Sequence, residues 1–238
     1  MQNILTIDYE TTTHENGNFH SNKNKAVCLG SKLNSEQTQC FFNPENLCEE
    51  WISEVDLVVA FNAKFELGWS RRLGFEMPKQ VWCCQLAEYM LDRQKPYPSL
   101  EETAKKYGLP SKLDVVKTEY WDKGLCTTDV PKDILADYCK QDVDLTFAIY
   151  QYQLEQFCTR PALFKLFKLA CQDLLVLAEM EWNGLPFNET LCKERAEECE
   201  KEKLQIVSVL SSVYPDVPIN FGSGDQLSAF LYGGTVVQ

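Results

Sequence analysis

Histidine and long apolar runs are scarce in this sequence of 238 residues. The only histidines are His14 and His20, both in a polar segment. No apolar run approaches the roughly 18 residues of a membrane-spanning helix, and the first ten residues lack the basic flank and apolar core of a signal peptide. Nothing in this pattern marks the chain for a membrane or for export, so we expect a cytoplasmic protein with no membrane partner.

Basic residues are also few, at 23 Lys and Arg against 35 Asp and Glu, for a net charge of −12. Broad attraction to a phosphate backbone normally requires a basic surface. If this protein binds nucleic acid, we expect the contact to be confined to a cleft where metal ions neutralise nearby carboxylates.

Cysteine is plentiful, with eleven residues, but its pattern does not indicate a disulfide or zinc framework. The number is odd, no export signal accompanies it, and the adjacent pair Cys83 and Cys84 lies far from either histidine. Tetrahedral zinc sites show closer ligand spacing. We therefore expect free thiols and no zinc site.

Runs of apolar and β-branched residues predict four strands, at residues 3–10, 26–33, 37–42 and 56–61. Helices are predicted from about residue 62, over 81–91, and after Ser99, which Glu102 completes as a capping box before Gly108 ends the helix. A long helix begins near Pro131, with Asp129 as a cap, and continues through residue 150. This order predicts an α/β layered domain over residues 1–158.

Residues 159–238 change to long helical patterns. One runs from 161 and ends at Gly184, and a charged one is capped by Asn188 and runs to about residue 214. A short helix follows, and no further core-building segment does. We expect a small helical segment that is truncated.

Asp8 and Glu10 lie two residues apart on the first predicted strand, so their side chains share one face and can hold one metal ion. A solvated strand end is the alternative for this pair alone. Asn62 and Glu66 follow the strand at 56–61, where an equally good alternative is a helix cap and an acid that complements the helix dipole.

Tyr138 and Asp142 lie one helical turn apart on the long helix, so a phenol and a carboxylate can address the same point. The alternative is an amphipathic helix with Asp142 exposed. However, the following residues are apolar, and an unpaired charge among them is costly.

Together these segments offer four carboxylates, which suit two Mg²⁺ or Mn²⁺ ions rather than zinc. Two such ions support phosphodiester hydrolysis, with Tyr138 orienting the attacking water, since neither histidine lies on the adjoining helix.

The segments IDYET (7–11), NAKFE (62–66) and YCKQD (138–142) resemble, in order, the three exonuclease motifs of the DEDD superfamily, tyrosine subclass. Residues 98–108, 114–125 and 136–150 are similar to the proofreading domain of family A DNA polymerases, especially phage-type ones. Residues 177–191 and 220–234 resemble the start of the polymerase domain in that family, whose own palm and fingers motifs are not in the sequence.

The resemblance implies an RNase H-like mixed sheet flanked by helices. It implies one metal ion held by Asp8, Glu10 and Asp142, and a second held by Asp8 and Glu66. Asn62 and Phe65 would contact the 3′ end of single-stranded DNA, and a polymerase domain or subunit would be a partner.

Two positions depart from the family pattern. Glu66 stands where the second motif usually ends in Asp, so its longer side chain must fold back or shift the second ion. Cys83 stands where an Asp-Thr pair is common, so it either removes an acid that would support the site or is a neutral core thiol, and we favour the thiol.

The sequence thus predicts a 3′–5′ exodeoxyribonuclease without polymerase activity of its own. A catalytically weak DNA-binding or scaffolding part of a split polymerase, and an exoribonuclease of the same superfamily, are the alternatives.

Overall fold

Apolar and β-branched runs form the strands of the structure, a computed structural model that describes residues 3–47, 51–92, 98–111, 115–213, 215 and 219–235. The strands are β1 (Ile4–Thr11), β2 (Ala26–Leu33), β3 (Gln39–Phe42), β4 (Leu57–Ala60) and β5 (Val81–Cys83). They form one sheet in the order β3-β2-β1-β4-β5. β1 is antiparallel to β2 and parallel to β4, so the predicted mixed sheet is confirmed.

The helices are α1 (Ala63–Arg72), α2 (Cys84–Leu91), α3 (Leu100–Lys106), α4 (Val115–Glu119), α5 (Lys132–Cys158), α6 (Pro161–Asn183), α7 (Glu189–Val213) and α8 (Gly224–Tyr232). Of these, α5 packs across β1, β2, β3 and β4. Its buried positions recur along one face, which is the pattern of a helix that covers a sheet.

The predicted helix over 81–91 is wrong in its first three residues. Residues 81–83 form β5, because Val58 to Ala60 of β4 pair with them. A short apolar run fits a strand as well as a helix, and only the open edge of β4 decides between them.

The helix caps were predicted with mixed success. Ser99 forms the capping box with Glu102, and Asn188 Oδ1 accepts a hydrogen bond from the Leu191 amide at 2.9 Å. Tyr214, at the predicted end of the second long helix, lies outside the described residues. Asp129 does not cap α5, because its carboxylate accepts from the Cys126 amide in a 3₁₀ turn and Pro131 takes the N-cap position.

The chain divides into two compact units, Met1–Gly184 and Leu185–Gln238. The first unit extends beyond the boundary at residue 158 because α6 packs on β5 and α1. Trp82 of β5 joins these layers, with its ring 4.9 Å from Tyr150 of α5 and 4.5 Å from Phe167 of α6. Among the described helices, none has both the length and the apolar character that crossing a bilayer requires.

Candidate active site

The second half of β1 carries Asp8 and Glu10 toward α5. Their carboxylate oxygens and the Cys139 Sγ atom of α5 all lie within 4.8 Å of one another. The two acids therefore share a face, as the two-residue period of a strand requires. Glu10 is only 6% exposed, so the solvated strand end does not describe it.

Glu66 of α1 reaches the same part of β1 through a backbone contact. The pairing of β1 with β4 ends at Thr6 and Val59. Beyond that point the Tyr9 N–H donates to Glu66 Oε2 at 2.9 Å. Because Tyr9 lies between Asp8 and Glu10, the longer side chain of Glu66 does fold back onto the strand that carries both acids.

Asp142 is 3% exposed on α5, and a glycine on β2 determines how close this helix lies to the sheet. Gly30 pairs opposite Asp8. A Cβ atom on Gly30 would lie 2.8 Å from Cys139 Sγ and 3.2 Å from the Cys139 carbonyl oxygen. Glycine therefore permits α5 to approach β2 beside Asp8. Asp142 lies one helical turn after Cys139, so it is on the face of α5 that makes this approach.

The pKa of Glu66 reports the charge around it. Burial raises this pKa well above its usual value, and the carboxylates of Asp8, Glu10 and Asp142 raise it further, while the Tyr9 N–H opposes the rise. All three acids are therefore near enough to repel charge on Glu66. So many acids in a buried place are costly unless cations neutralise them, and an all-oxygen donor set fits Mg²⁺ or Mn²⁺.

Tyr138 is buried on α5, one turn before Asp142. Its ring packs edge-on against Trp121, with ring centroids 5.7 Å apart and an interplanar angle of 86°. It belongs to an apolar cluster with Leu135 and Cys139. Packing on these neighbours holds the ring of Tyr138 in place.

Asn62 and Phe65 lie where β4 passes into α1. Asn62 occupies the N-cap position, but its exposed side chain makes no capping hydrogen bond. The alternative of a side-chain cap is therefore wrong. Phe65 is half-buried, and its ring lies 3.3 Å from the point where a Cβ atom on Gly17 would stand. Gly17 follows the end of β1, which is parallel to β4. Asn62 and Phe65 therefore border the end of the sheet at which β1 also ends.

Cys83 is buried, and its thiol donates to the Phe61 carbonyl oxygen at 3.5 Å. Burial raises the pKa of this thiol, so Cys83 is the neutral core thiol that the sequence indicated.

Two residues of this region were not foreseen from the sequence. Gly30 carries no signal there, because a strand glycine gains meaning only from the helix packed on it. Cys139 lies three residues before Asp142, and this helical spacing was the one available signal.

A family model described as 3′–5′ exonuclease matches residues 32–157, more than half of the chain. The chain belongs to this 3′–5′ exonuclease family. Membership implies a metal-dependent nuclease. The match includes Glu66, Tyr138 and Asp142, whereas β1, with Asp8 and Glu10, precedes the matched residues. No curated protein sequence gives a significant match to the exonuclease.

Solved structures show the same fold. Brucella melitensis NrnC is similar with a TM-score of 0.57 and 12% identity, over 76% of the exonuclease and 86% of that chain. The POL domain of Pol1 from M. smegmatis, in complex with DNA primer-template and dNTP, is similar with a TM-score of 0.70 and 14% identity. This match covers 96% of the exonuclease and 37% of that chain. The catalytic core of RRP6 from Trypanosoma brucei gives a TM-score of 0.53 at 13% identity, over 73% of the exonuclease and 46% of that chain. The predicted RNase H-like fold is thereby confirmed.

Proposed function

We propose that this exonuclease removes nucleotides from the 3′ ends of single-stranded or frayed DNA, as the proofreading part of a phage-type family A DNA polymerase. The observation that carries the proposal is the convergence of four acidic side chains at the end of β1. These are Asp8, Glu10, Glu66 and Asp142. Because these acids repel one another and lie in a largely buried place, they favour bound cations while the enzyme acts on its substrate.

Two Mg²⁺ or Mn²⁺ ions fit this donor set, with Asp8, Glu10 and Asp142 at one ion and Asp8 and Glu66 at the other. A solved structure of NrnC, which is similar in fold, contains bound Mg²⁺. When bound, such ions lower the pKa of water and stabilise charge on the scissile phosphate. Glu66 also keeps its hydrogen bond to the Tyr9 amide, which holds its carboxylate beside β1.

The remaining residues position the reactants. Tyr138, held by its packing on Trp121, orients the attacking water with its phenol oxygen. Asn62 and Phe65 contact the terminal nucleotides, since the Asn62 amide is exposed and makes no cap and the Phe65 ring is partly accessible. Amide contacts to the backbone and stacking on bases tolerate any sequence, as editing of a mismatched end requires.

The test is degradation of a 5′-labelled single-stranded DNA with Mg²⁺ or Mn²⁺. We expect a ladder of shortened products that EDTA abolishes and that Asp8→Asn and Asp142→Asn lose. Asp137→Asn is the matched control, because Asp137 is exposed on the same helix, and it should keep the ladder. A wild-type chain that releases no nucleotide with either metal would refute the proposal and favour the scaffolding alternative.

DNA is the proposed substrate because the chain is similar over 96% of its length to part of a DNA-bound Pol1 structure. Matched DNA and RNA oligonucleotides test this choice. If the RNA is degraded faster, the protein is an exoribonuclease of the same superfamily.

A polymerase domain or subunit is the proposed partner, and the outer face of α6 supports it. Apolar side chains that are more than half exposed recur there at helical spacing, namely Leu166, Leu169, Val176, Leu177 and Met180. Protein that co-purifies with the chain should incorporate nucleotides into DNA. The Val176→Asp variant should no longer capture this polymerase activity. Capture of a polymerase that Val176→Asp leaves unchanged would place the contact elsewhere.

A further inference from the structure

Three cysteines that are far apart in the sequence meet between α5 and the outer part of the sheet. The Sγ atoms of Cys28, Cys40 and Cys139 all lie within 4.8 Å of one another. In the antiparallel pairing of β2 with β3, Cys28 is opposite Phe42 and Cys40 is opposite Gly30. The two cysteines are therefore diagonal neighbours on one face, and α5 adds the third.

Gly30 makes this meeting possible. It lies two residues after Cys28 on the same face of β2, and a Cβ atom there would lie 2.8 Å from Cys139 Sγ. A larger residue would occupy the space in which the thiols converge. All three cysteines are free thiols. Cys40 is only partly buried and lies on the edge strand β3, so it provides access from solvent.

We propose that Cys28, Cys40 and Cys139 form a binding site for a thiophilic metal ion such as Zn²⁺. Tetrahedral zinc with bonds of about 2.3 Å to sulfur places its sulfur ligands about 3.8 Å apart. The three thiols, which lie within 4.8 Å of one another, are therefore within about 1 Å of that spacing. Sulfur ligands favour Zn²⁺ over the hard Mg²⁺, so this site and the carboxylate site select different ions.

The two sites adjoin. Cys139 Sγ also lies within 4.8 Å of the carboxylate oxygens of Asp8 and Glu10. Glu10 also pairs opposite Cys28, so by moving toward the thiols it can supply a fourth ligand to an ion there. Resting on the proposed function, this implies that bound Zn²⁺ draws Glu10 away from its role in hydrolysis and lowers the nuclease rate.

Cadmium reports on such a site directly, because Cd²⁺ bound to thiolates absorbs strongly in the ultraviolet. The full chain is titrated with Cd²⁺ in saturating Mg²⁺ and a reductant that does not bind metal. We expect one Cd²⁺ per chain to give the thiolate absorption. Cys40→Ala and Cys139→Ala should weaken binding by about tenfold or more, since even residues that only support a ligand matter by about that factor.

Cys171→Ala is the matched control, because Cys171 is buried elsewhere in the same unit. It should leave the absorption unchanged. The proposal is overturned if the wild-type chain shows no thiolate absorption, if Cys40→Ala and Cys139→Ala retain it, or if Cys171→Ala loses it to the same extent. Cys40 is half-buried on an edge strand, so Cys40→Ala tests binding even if Cys139→Ala does not fold.

Activity provides a separate readout. With Mg²⁺ present, added Zn²⁺ should slow DNA degradation by the wild-type chain and leave Cys40→Ala unaffected. Equal inhibition of both would overturn the regulatory consequence while the absorption titration still decides on binding. If the chain degrades no nucleic acid at all, the proposed function fails and the metal site is still tested.

Discussion

Gly30→Ala tests how closely α5 must approach the sheet. The added methyl group would lie 2.7 Å from Val143 Cγ2, 2.8 Å from Cys139 Sγ and 3.2 Å from the Cys139 carbonyl oxygen. The side-chain atoms can rotate away, but the carbonyl belongs to the helix backbone, so α5 itself must move. Overpacking of this kind costs about 1–3 kcal/mol. Alanine also restricts the unfolded chain, which offsets about 0.4–1 kcal/mol of that cost.

The expected net loss of stability is therefore about 1–2 kcal/mol, which lowers the urea midpoint by about 0.5–1 M. Tryptophan fluorescence is the appropriate probe, because all five tryptophans lie in the first unit, at Trp51, Trp69, Trp82, Trp121 and Trp182. Asp142 and Tyr138 move with α5, and a misplacement of about 1 Å can cost about 100-fold in rate. Nuclease activity should therefore fall further than the folded fraction does.

A double variant separates the two kinds of contact. Adding Cys139→Ala to Gly30→Ala removes the sulfur contact and leaves the contacts with Val143 Cγ2 and the Cys139 carbonyl oxygen, so it should recover only part of the lost stability. An unchanged urea midpoint in Gly30→Ala would refute the reasoning, since it would mean that α5 does not depend on the missing Cβ. Full recovery in the double variant would show that the carbonyl contact is unimportant.

The buried carboxyl of Glu66 should make the metal-free protein sensitive to pH. Its folded-state pKa is raised above the usual 4.5, so its contribution to stability is complete below that value and is lost as the pH rises through the folded pKa. In EDTA, the melting temperature should fall with rising pH more in the wild type than in Glu66→Gln, and parallel curves would contradict this. Gln153→Leu should cost about 1–3 kcal/mol in urea unfolding, because the buried Trp82 indole N–H, which donates to Gln153 Oε1 at 3.1 Å, loses its acceptor. A neutral result would mean that Trp82 finds another partner. Ser99→Ala removes the cap of α3 and should cost about 1 kcal/mol, or about 2–4 °C in melting temperature, whereas Ser53→Ala, outside any cap, should change it less.

Local patterns were sufficient for much of the site. The two-residue spacing of Asp8 and Glu10 on an apolar run predicts a shared face, because alternation is a property of any strand. The four-residue spacing of Tyr138 and Asp142 predicts the same on a helix. Both elements were predicted, and the structure buries Glu10, Tyr138 and Asp142 and leaves Asp8 half-buried. The metal ligands and the roles of these residues remain predictions that the degradation assay tests.

Other features depend on partners that are distant in the sequence. Residues 81–83 form a strand only because β4 offers an open edge, and Asp129 is drawn into a 3₁₀ turn instead of capping α5. The absence of zinc-like spacing led us to expect no zinc site. The convergence of Cys28, Cys40 and Cys139 now leads us to propose one, because ligand spacing along the chain says nothing about ligands brought together by a sheet and a crossing helix.

The sequence by itself determined four of the five strands, the long helices, the family motifs and the pairs of side chains that share a face, since these follow from backbone periods of two and 3.6 residues. Only the tertiary structure decided that Glu66 folds back to the Tyr9 amide, that Gly30 admits α5 beside Asp8, and that three thiols meet next to Glu10. These distances arise from the packing of whole elements, which depends on the volume of side chains that are far apart in the sequence.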